Sequence, residues 1–449
     1  MAGGNFDPAI GKVVPGTYMN FVSDSVQRPG VSPRGVAVIP IKSTYGPKGQ
    51  FVELNSKTGD KMRDVLGFGL SDSNSNMLLV REALKNASTV KVYILNEGEK
   101  ATASISENVT AAAVYGGTRG NDIKVVVTTN PVVTGTFNVS IYLGAVKVEE
   151  FEGVADTAAI TQCASKFVVF SGEGTLAANA GVNLAGGTDG TSTVQELEEF
   201  LNALENCVFD TVAFPIASLT SNEYATLKSK IKYLRNELGK TGQFVVANFD
   251  GDYEGIINVT NGVILADGTE LTATEVTAFV AGITAGAEYN ESNTYKVYEG
   301  AIAVNGLKTY DAAETAIKNG ELFFSLSSAG EVIITYDLNS LHSSYAMTGK
   351  SQSYKKNRFI RVIDALRNTL LIEFTPGKFD NSSEGWDLMQ GIGYTILKTF
   401  ESDGAIKNVN YENDFLIDRS MSTGDSTFIN VAIQPVDSAE KIYITVKTS

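Results

Sequence analysis

Hydrophobic and polar residues alternate along the chain with two different periods, one typical of strands and one typical of helices. Apolar runs at 34–41 and 89–95 are typical of buried strands, whereas residues 76–84 have helical spacing. From residue 194 onward the pattern predicts a helix at 194–204, a strand at 208–214, a helix at 222–238 and a strand at 243–249. Thr272 and Glu275 have the spacing of a capping box, which predicts a helix that opens there and runs through Val280. Such alternation predicts helices packed on a mainly parallel sheet.

Two other regions differ from this alternation. Residues 97–187 carry strand patterns separated by Gly, Ser, Thr and Asn, which predicts a mostly β domain inserted into the α/β one. After residue 336 the pattern predicts two long helices, 353–374 and 384–400, followed by strands at 427–433 and 441–447. The predicted fold class is therefore multidomain α+β. It comprises an α/β core (23–96 and 188–336), the inserted domain (97–187) and a C-terminal α+β domain (337–438).

Both ends of the chain have the composition of strands, and we call them the N-terminal arm (1–22) and the C-terminal arm (439–449). In the C-terminal arm the apolar side chains alternate with Tyr443 and Thr445, so they share one face. A terminal strand needs a sheet, and an unpaired one can pair with another chain. The arms therefore predict a subunit that links to its neighbours by strand exchange. The predicted linking residues are Tyr18, Met19, Phe21, Val22, Ile442, Tyr443, Ile444 and Val446.

The composition and charge of the chain exclude several classes of function. The chain has 449 residues, enough for two to four domains, and 43% of them are hydrophobic. Its formal charge of −15 argues against general affinity for nucleic acid or anionic membranes. Two distant cysteines, Cys163 and Cys207, make no disulfide scaffold, and we expect folding inside the cell. No secretory signal is visible, and no apolar run is long enough to span a bilayer.

Motifs that carry chemistry are incomplete throughout. His342 is the only histidine, so neither a zinc site nor a catalytic triad has its usual set of residues. Two segments end like a phosphate loop, but its first glycine is replaced by Leu234 in one and Ser344 in the other. A calcium-loop start at residues 250–255 has Asn261 where the bidentate glutamate belongs. We therefore predict no metal, no cofactor and no enzymatic activity.

One helix has an unusual charge distribution. Basic residues crowd its start, which opposes the helix macrodipole at a cost of a few tenths of a kcal/mol or more. Either this is a solvated helix face or it docks on an acidic partner surface. The residues are Lys355, Lys356, Arg358, Arg361 and Arg367.

Five stretches resemble the contractile-tail sheath proteins of bacteriophages and phage-tail-like bacteriocins. They are residues 15–21 (PGTYMNF), 116–123 (GGTRGNDI), 357–365 (NRFIRVIDA), 404–408 (GAIKN) and 428–446 (FINVAIQPVDSAEKIYITV). They follow one another in the order expected for the family, and the short central region is most similar to sheaths from Gram-positive hosts. Residues 262–294 match the family only loosely.

The resemblance implies a structural role. Sheath subunits form helical rings around an inner tube, their arms complete sheets shared with neighbours, and contraction drives the tube through the target envelope. The implied partners are other copies of the chain, the inner tail-tube protein, the baseplate and the tail-terminator or collar proteins. Lys355, Lys356, Arg358 and Arg361 become candidates for the tube contact. The particle would assemble in the bacterial cytoplasm and be released by lysis, without membrane insertion of the subunit.

Two alternatives remain open from the sequence. The first is another self-assembling structural protein, such as a tail-tube or surface-layer subunit, although tube proteins are usually shorter and a surface layer normally needs a secretion signal. The second is an α/β enzyme, which a deep pocket with convergent polar groups would support. Neither alternative explains two strand-forming arms.

Overall fold

The structure, a computed structural model, describes residues 34–55, 57–343 and 349–448. It confirms a multidomain α+β fold. The chain divides into a main unit, with described residues 34–368 and 435–448, and a small unit, residues 369–434. The N-terminal arm, with Tyr18, Met19, Phe21 and Val22, lies outside the described residues.

The regular elements are as follows, in chain order. The strands are β1 (Val36–Ile41), β2 (Phe51–Leu54), β3 (Thr89–Ile94), β4 (Thr102–Ala113), β5 (Ile123–Thr129), β6 (Phe137–Leu143), β7 (Val146–Val154), β8 (Val168–Thr175), β9 (Val182–Asn183), β10 (Thr211–Ala213), β11 (Gln243–Ala247), β12 (Ile256–Val259), β13 (Gly262–Leu265), β14 (Glu270–Leu271), β15 (Ala301–Asn305), β16 (Glu321–Leu322), β17 (Phe324–Leu326), β18 (Val332–Ile334), β19 (Phe415–Ile417) and β20 (Ile429–Val431). The helices are α1 (Gly59–Leu66), α2 (Ser75–Leu84), α3 (Thr157–Thr161), α4 (Val194–Ala203), α5 (Ser221–Asn236), α6 (Thr277–Gly286), α7 (Tyr310–Lys318), α8 (Asn357–Glu373) and α9 (Ser383–Ser402).

The core of the main unit is a seven-stranded sheet in the order β16-β12-β11-β10-β1-β3-β2. Neighbouring strands are parallel except β2 and β3. Both faces are covered, which explains the nearly continuous apolar strands. In β1, Ile39 contributes to the cluster that contains α2 and α6, and Val38 contributes to the cluster that contains α4 and α5. The predicted parallel sheet between helices is confirmed.

Helix α6 is buried on all sides, which is why its amphipathic signal is weak. Thr272 and Glu275 form the predicted capping hydrogen bonds, with the Thr272 N–H donating to the Glu275 carboxylate at 2.9 Å. The prediction of a helix opening there and running through Val280 was wrong in its bounds, because the regular helix begins at Thr277 and continues to Gly286. Its glycines allow the close approach to α2: an added Cβ at Gly282 would lie 2.2 Å from the Ala83 carbonyl oxygen.

The inserted strands form two antiparallel sheets around a core of their own. One sheet pairs β4 with β8, and the other has the order β7-β6-β5-β9. Strand alternation puts Val125 and Val127 of β5 inside, together with Val139 and Ile141 of β6, and each of these side chains is fully buried. This core contains no side chain from the helices that cover the central sheet, and it takes Tyr45 from outside the insertion.

A polar clamp joins the two connections between the inserted strands and the core. The Asn121 side chain and the Gly187 backbone exchange hydrogen bonds at 3.0 and 2.8 Å. Asp189 accepts hydrogen bonds from the backbone and the hydroxyl of Thr118, and its carbonyl accepts one from the Asn96 side chain. Residues 116–123, which resemble a family signature, therefore hold the entry and exit chains side by side.

The small unit consists of the end of α8, helix α9 and the two-stranded sheet of β19 and β20. Gly393 of α9 lies against the ring of Phe415, where an added Cβ would meet ring atoms at 2.3 Å. Phe374 stacks on the same ring with the ring centres 5.8 Å apart. The sequence prediction gave the whole of α8 to the C-terminal domain, whereas residues 357–368 belong to the main unit.

We expect Gly282→Ala to destabilise the main unit by roughly 2–3 kcal/mol, because the new methyl group overlaps backbone that cannot rotate away. Gly391→Ala in α9 is the control, since nothing lies within 4 Å of its added Cβ. It should be neutral or stabilising by about 0.5–1 kcal/mol. Urea unfolding followed by circular dichroism measures both changes. Equal stability of the two variants would contradict the close packing of α6 on α2.

Candidate subunit-linking site

The C-terminal arm leaves the main unit with its apolar side chains exposed. Ile442, Ile444 and Val446 are 74–80% exposed, and Tyr443 is 89% exposed. The sequence predicted a strand over 441–447, and no strand forms there in the single chain. The physical reason is that a strand exists only beside a partner strand, and no described residue supplies one.

The start of the arm is held firmly. Oε1 of Glu440 accepts hydrogen bonds from the hydroxyls of Ser292 at 3.1 Å and Thr294 at 3.0 Å. The Lys356 ammonium contacts the other carboxylate oxygen of Glu440 at 2.7 Å and Asp437 at 2.6 Å. Burial lowers the pKa of Lys356, but its hydrogen bonds to Asp437 and Glu440 outweigh this and keep the pKa above its ordinary value. We call these five residues the arm root.

The basic residues proposed for the tube contact have different environments. Lys356 belongs to the arm root, and Arg358 donates a hydrogen bond to the Ser438 hydroxyl at 2.8 Å. Lys355 is half-buried, and burial lowers its pKa. For Arg358 and Lys356, contact with a tube would compete with contacts inside the chain. For Lys355 the tube contact stays a prediction.

The prediction for Arg361 needs correction. Its guanidinium and the Asp337 carboxylate are each only 1% exposed, and they pair at 2.7 Å. Asp337 also accepts hydrogen bonds from the Asn293 backbone at 3.0 Å and the Asn357 side chain at 2.8 Å. The sequence showed a basic residue on a helix but not which side faced the core. Arg361 therefore fixes α8 to the main unit and presents no charge to a partner.

Strands β19 and β20 form a surface that can accept another strand. They pair over three residues each, Phe415 with Val431 through Ile417 with Ile429. No further strand joins them within the described residues, so both outer edges are unpaired. Leu416 and Phe428 are 37% and 44% exposed beside these edges. Two short strands are marginally stable alone and gain stability from a third or fourth.

The segments that imitate chemical motifs have structural roles. Asp252, in the calcium-like loop, accepts hydrogen bonds from the backbone of His342 and Ser343 at 2.9 and 3.0 Å. Lys350, in one of the incomplete phosphate loops, pairs with Glu254. Among the described residues no group of acidic, histidine and cysteine side chains could hold a metal ion. The described part of the chain also contains no helix with the length and apolar character needed to cross a membrane.

The sequence reasoning missed the acidic half of the arm root. Asp437 and Glu440 stand directly before the apolar arm, and their charge is opposite to that of the helix start at Lys356. That complementarity was visible in the sequence and pointed to a contact inside the chain. Strand β19 was also missed because three residues give too short a pattern.

Family sequence models account for nearly all of the chain. They are described as tail sheath protein Gp18 domain III N-terminal region (34–95), phage tail sheath protein beta-sandwich domain (96–189), phage tail sheath protein central domain (190–340) and phage tail sheath C-terminal domain (349–449). The phage-like element PBSX protein XkdK of Bacillus subtilis is 36% identical over 477 residues, with full coverage of both chains. The chain belongs to the phage tail sheath protein family.

Solved structures support the same assignment. The sheath tail protein from Desulfitobacterium hafniense is 35% identical, with a TM-score of 0.83 over 96% of this chain and 99% of that one. The sheath tail protein from Listeria innocua is 34% identical, with a TM-score of 0.79 over 94% of this chain and 96% of that one. This tail sheath protein is therefore a structural subunit of a contractile tail and not an enzyme. The tail-tube, surface-layer and α/β-enzyme alternatives are excluded.

We expect Asp337→Ala to destabilise the main unit by about 3–5 kcal/mol, because it leaves the Arg361 charge buried without its partner. The control is Glu314→Ala, which breaks an exposed pair whose side chains are 56% and 70% exposed. That change should cost less than about 1 kcal/mol. Urea unfolding measures both. A small effect of Asp337→Ala would contradict the structural role given to Arg361.

Proposed function

We propose that the subunits of this sheath are linked by addition of the C-terminal arm of one chain to the β19–β20 sheet of another. The observation that carries the proposal is that residues 442–446 leave a complete fold with an apolar strand sequence fully exposed. The same chain also offers a short sheet with two unpaired edges. Donor and acceptor are then present on every copy, as a repeating assembly requires.

The energies favour backbone pairing over charge contacts for this link. Each backbone hydrogen bond contributes about 0.5–1.5 kcal/mol net. Burying an Ile or Val side chain contributes about 1.5–3 kcal/mol more. An exposed ion pair contributes at most about 1 kcal/mol. A strand of six or seven residues therefore provides a link that can survive a large movement of the subunit bodies.

The proposed cycle needs no nucleotide. Copies of the chain assemble as helical rings around the inner tail-tube protein and attach to the baseplate at one end and the terminator or collar at the other. Contraction releases the energy of a metastable packing as the subunit bodies find new contacts. The N-terminal arm, through Tyr18, Met19, Phe21 and Val22, is a second linker in this scheme. Lys355, Lys356 and Arg358 are the basic candidates for a tube contact that breaks during contraction, and for the last two this contact would compete with contacts inside the chain. Assembly takes place in the bacterial cytoplasm, and lysis releases the particle.

We expect the triple variant Ile442→Ser, Ile444→Ser, Val446→Ser to remain folded and to form no long cylinders, because its strand has no apolar face to bury. The matched control changes the opposite face of the same strand with Thr445→Asn and Lys447→Gln, and it should assemble like the unmodified chain. Negative-stain electron microscopy counts the cylinders, and circular dichroism checks the fold. Equal assembly of both variants would contradict linkage through the apolar face.

A further inference from the structure

The arm changes from buried and hydrogen-bonded at Glu440 to exposed at Ile442. The Glu440 side chain is 9% exposed and has three partners, Ser292, Thr294 and Lys356. Ile442 is 74% exposed. No hydrogen bond to the backbone of residues 441–448 is found within the described part of the chain. Glu440 is therefore the last point at which the arm is attached to its own subunit.

The arm root continues into a buried polar network. Thr294, which donates to Glu440, accepts a hydrogen bond from the Asp337 backbone at 3.1 Å. The Asp337 carboxylate binds Asn357 at the start of α8, and the Asn357 side chain accepts a hydrogen bond from Gln243 at 2.9 Å. Gln243 is the first residue of β11, a central strand of the seven-stranded sheet. Four consecutive contacts thus connect Glu440 to the core of the main unit.

A second helix contact makes the same region rigid. Arg235 of α5 and Asp364 of α8 form two parallel hydrogen bonds at 2.8 and 2.7 Å, with side chains only 8% and 5% exposed. Paired donors facing a carboxylate fix direction as well as distance. Helix α8, which begins at the residue after Lys356, is therefore held to the core independently of the arm.

Without the arm root, a pull on the arm would reach a weaker element. Along the chain, residues 432–439 lead back from the arm to β20, which pairs with β19 over only three residues. A pair of strands this short has few hydrogen bonds with which to resist a pull. If the same sheet also accepts a neighbour's arm, its loss would release two links at once.

We propose that Glu440 anchors the C-terminal arm to its own subunit throughout contraction. This inference rests on the proposed strand exchange and adds two statements to it. Only the residues after Glu440 are exchanged, and tension on the arm passes through Thr294, Lys356 and Asp337 into the central sheet. Strands β19 and β20 are thereby spared the pull.

The test uses a cross-link that needs direct contact. A carbodiimide joins an amine to a carboxylate only when the two touch, and the Lys356 and Glu440 groups are 2.7 Å apart. Cylinders are assembled from an equal mixture of unlabelled and heavy-isotope-labelled chains and are cross-linked before and after contraction by mild denaturant. Mass spectrometry then identifies the linked peptides, with the unassembled chain as reference.

We expect Lys356–Glu440 peptides in both states, with both halves always carrying the same isotope label. Peptides of mixed label would overturn the anchor, because the root would then be exchanged between subunits. Loss of the cross-link on assembly or on contraction, while the unassembled chain still gives it, would overturn it as well. Failure of the unmodified chain to form cylinders would instead count against the proposed strand exchange.

A variant gives a second measurement. Lys356→Gln removes the ammonium that holds Asp437 and Glu440, and we expect it to assemble but to produce roughly tenfold more broken cylinders on contraction. Lys147→Gln is the matched control, since it removes the same charge from an exposed pair in the inserted domain, outside the arm. Intact contraction of the Lys356→Gln cylinders at the control's rate would contradict the passage of tension through the arm root.

Discussion

The central constraint in this structure is a terminal segment with the sequence of a strand, for which no described residue supplies a partner strand. Each of the residues 441–448 has a backbone N–H donor and a C=O acceptor that need hydrogen-bond partners. The strands of the central sheet pair with one another, and side chains from helices cover both faces of that sheet. The arm, by contrast, is exposed beyond Glu440. We propose that a neighbouring subunit supplies these partners in the assembled sheath.

The charge of the chain explains why short-range contacts must hold the assembly together. At −15 the subunits repel one another on average, although salt screens exposed charges beyond about 8 Å. Backbone hydrogen bonds and apolar burial act only at contact and are little affected by this repulsion. The buried ion pairs act inside the subunit. The pairs Arg361–Asp337 and Arg235–Asp364 fix the orientation of α8. Helix α8 begins directly after Lys356, which holds the arm.

The parts of the fold that the sequence predicts well are those with long, regular patterns. Strands β1 and β3 and helices α4, α5 and α9 begin and end within two residues of the predicted bounds, because apolar runs and caps such as Thr193 mark them. Strands β12 to β18 have two to five residues each, which is too short for a period to show. Helix α6 has no polar face, so its continuation to Gly286 gave no amphipathic signal.

The candidate site was only partly predictable, because some of its features are local in sequence and others depend on the tertiary fold. The strand pattern at residues 442–446 can be recognised from the sequence because alternation is a local property. The burial of Arg361 is not, since it depends on Asp337 being brought beside α8 by the tertiary fold. The acidic residues of the arm root were predictable in part. Their charge is visible in the sequence, but their partners Ser292 and Thr294 are distant in sequence and no local pattern identifies them.

Hydrogen–deuterium exchange of the C-terminal arm tests the central claim most directly. The amides of residues 442–446 should exchange at the rate of an unstructured peptide in the unassembled chain. In assembled cylinders they should be protected at least a hundredfold, because they become the hydrogen-bonded strand of a neighbour's sheet. Amides that exchange equally fast in both samples, while the cylinders stay intact, would contradict linkage by strand addition.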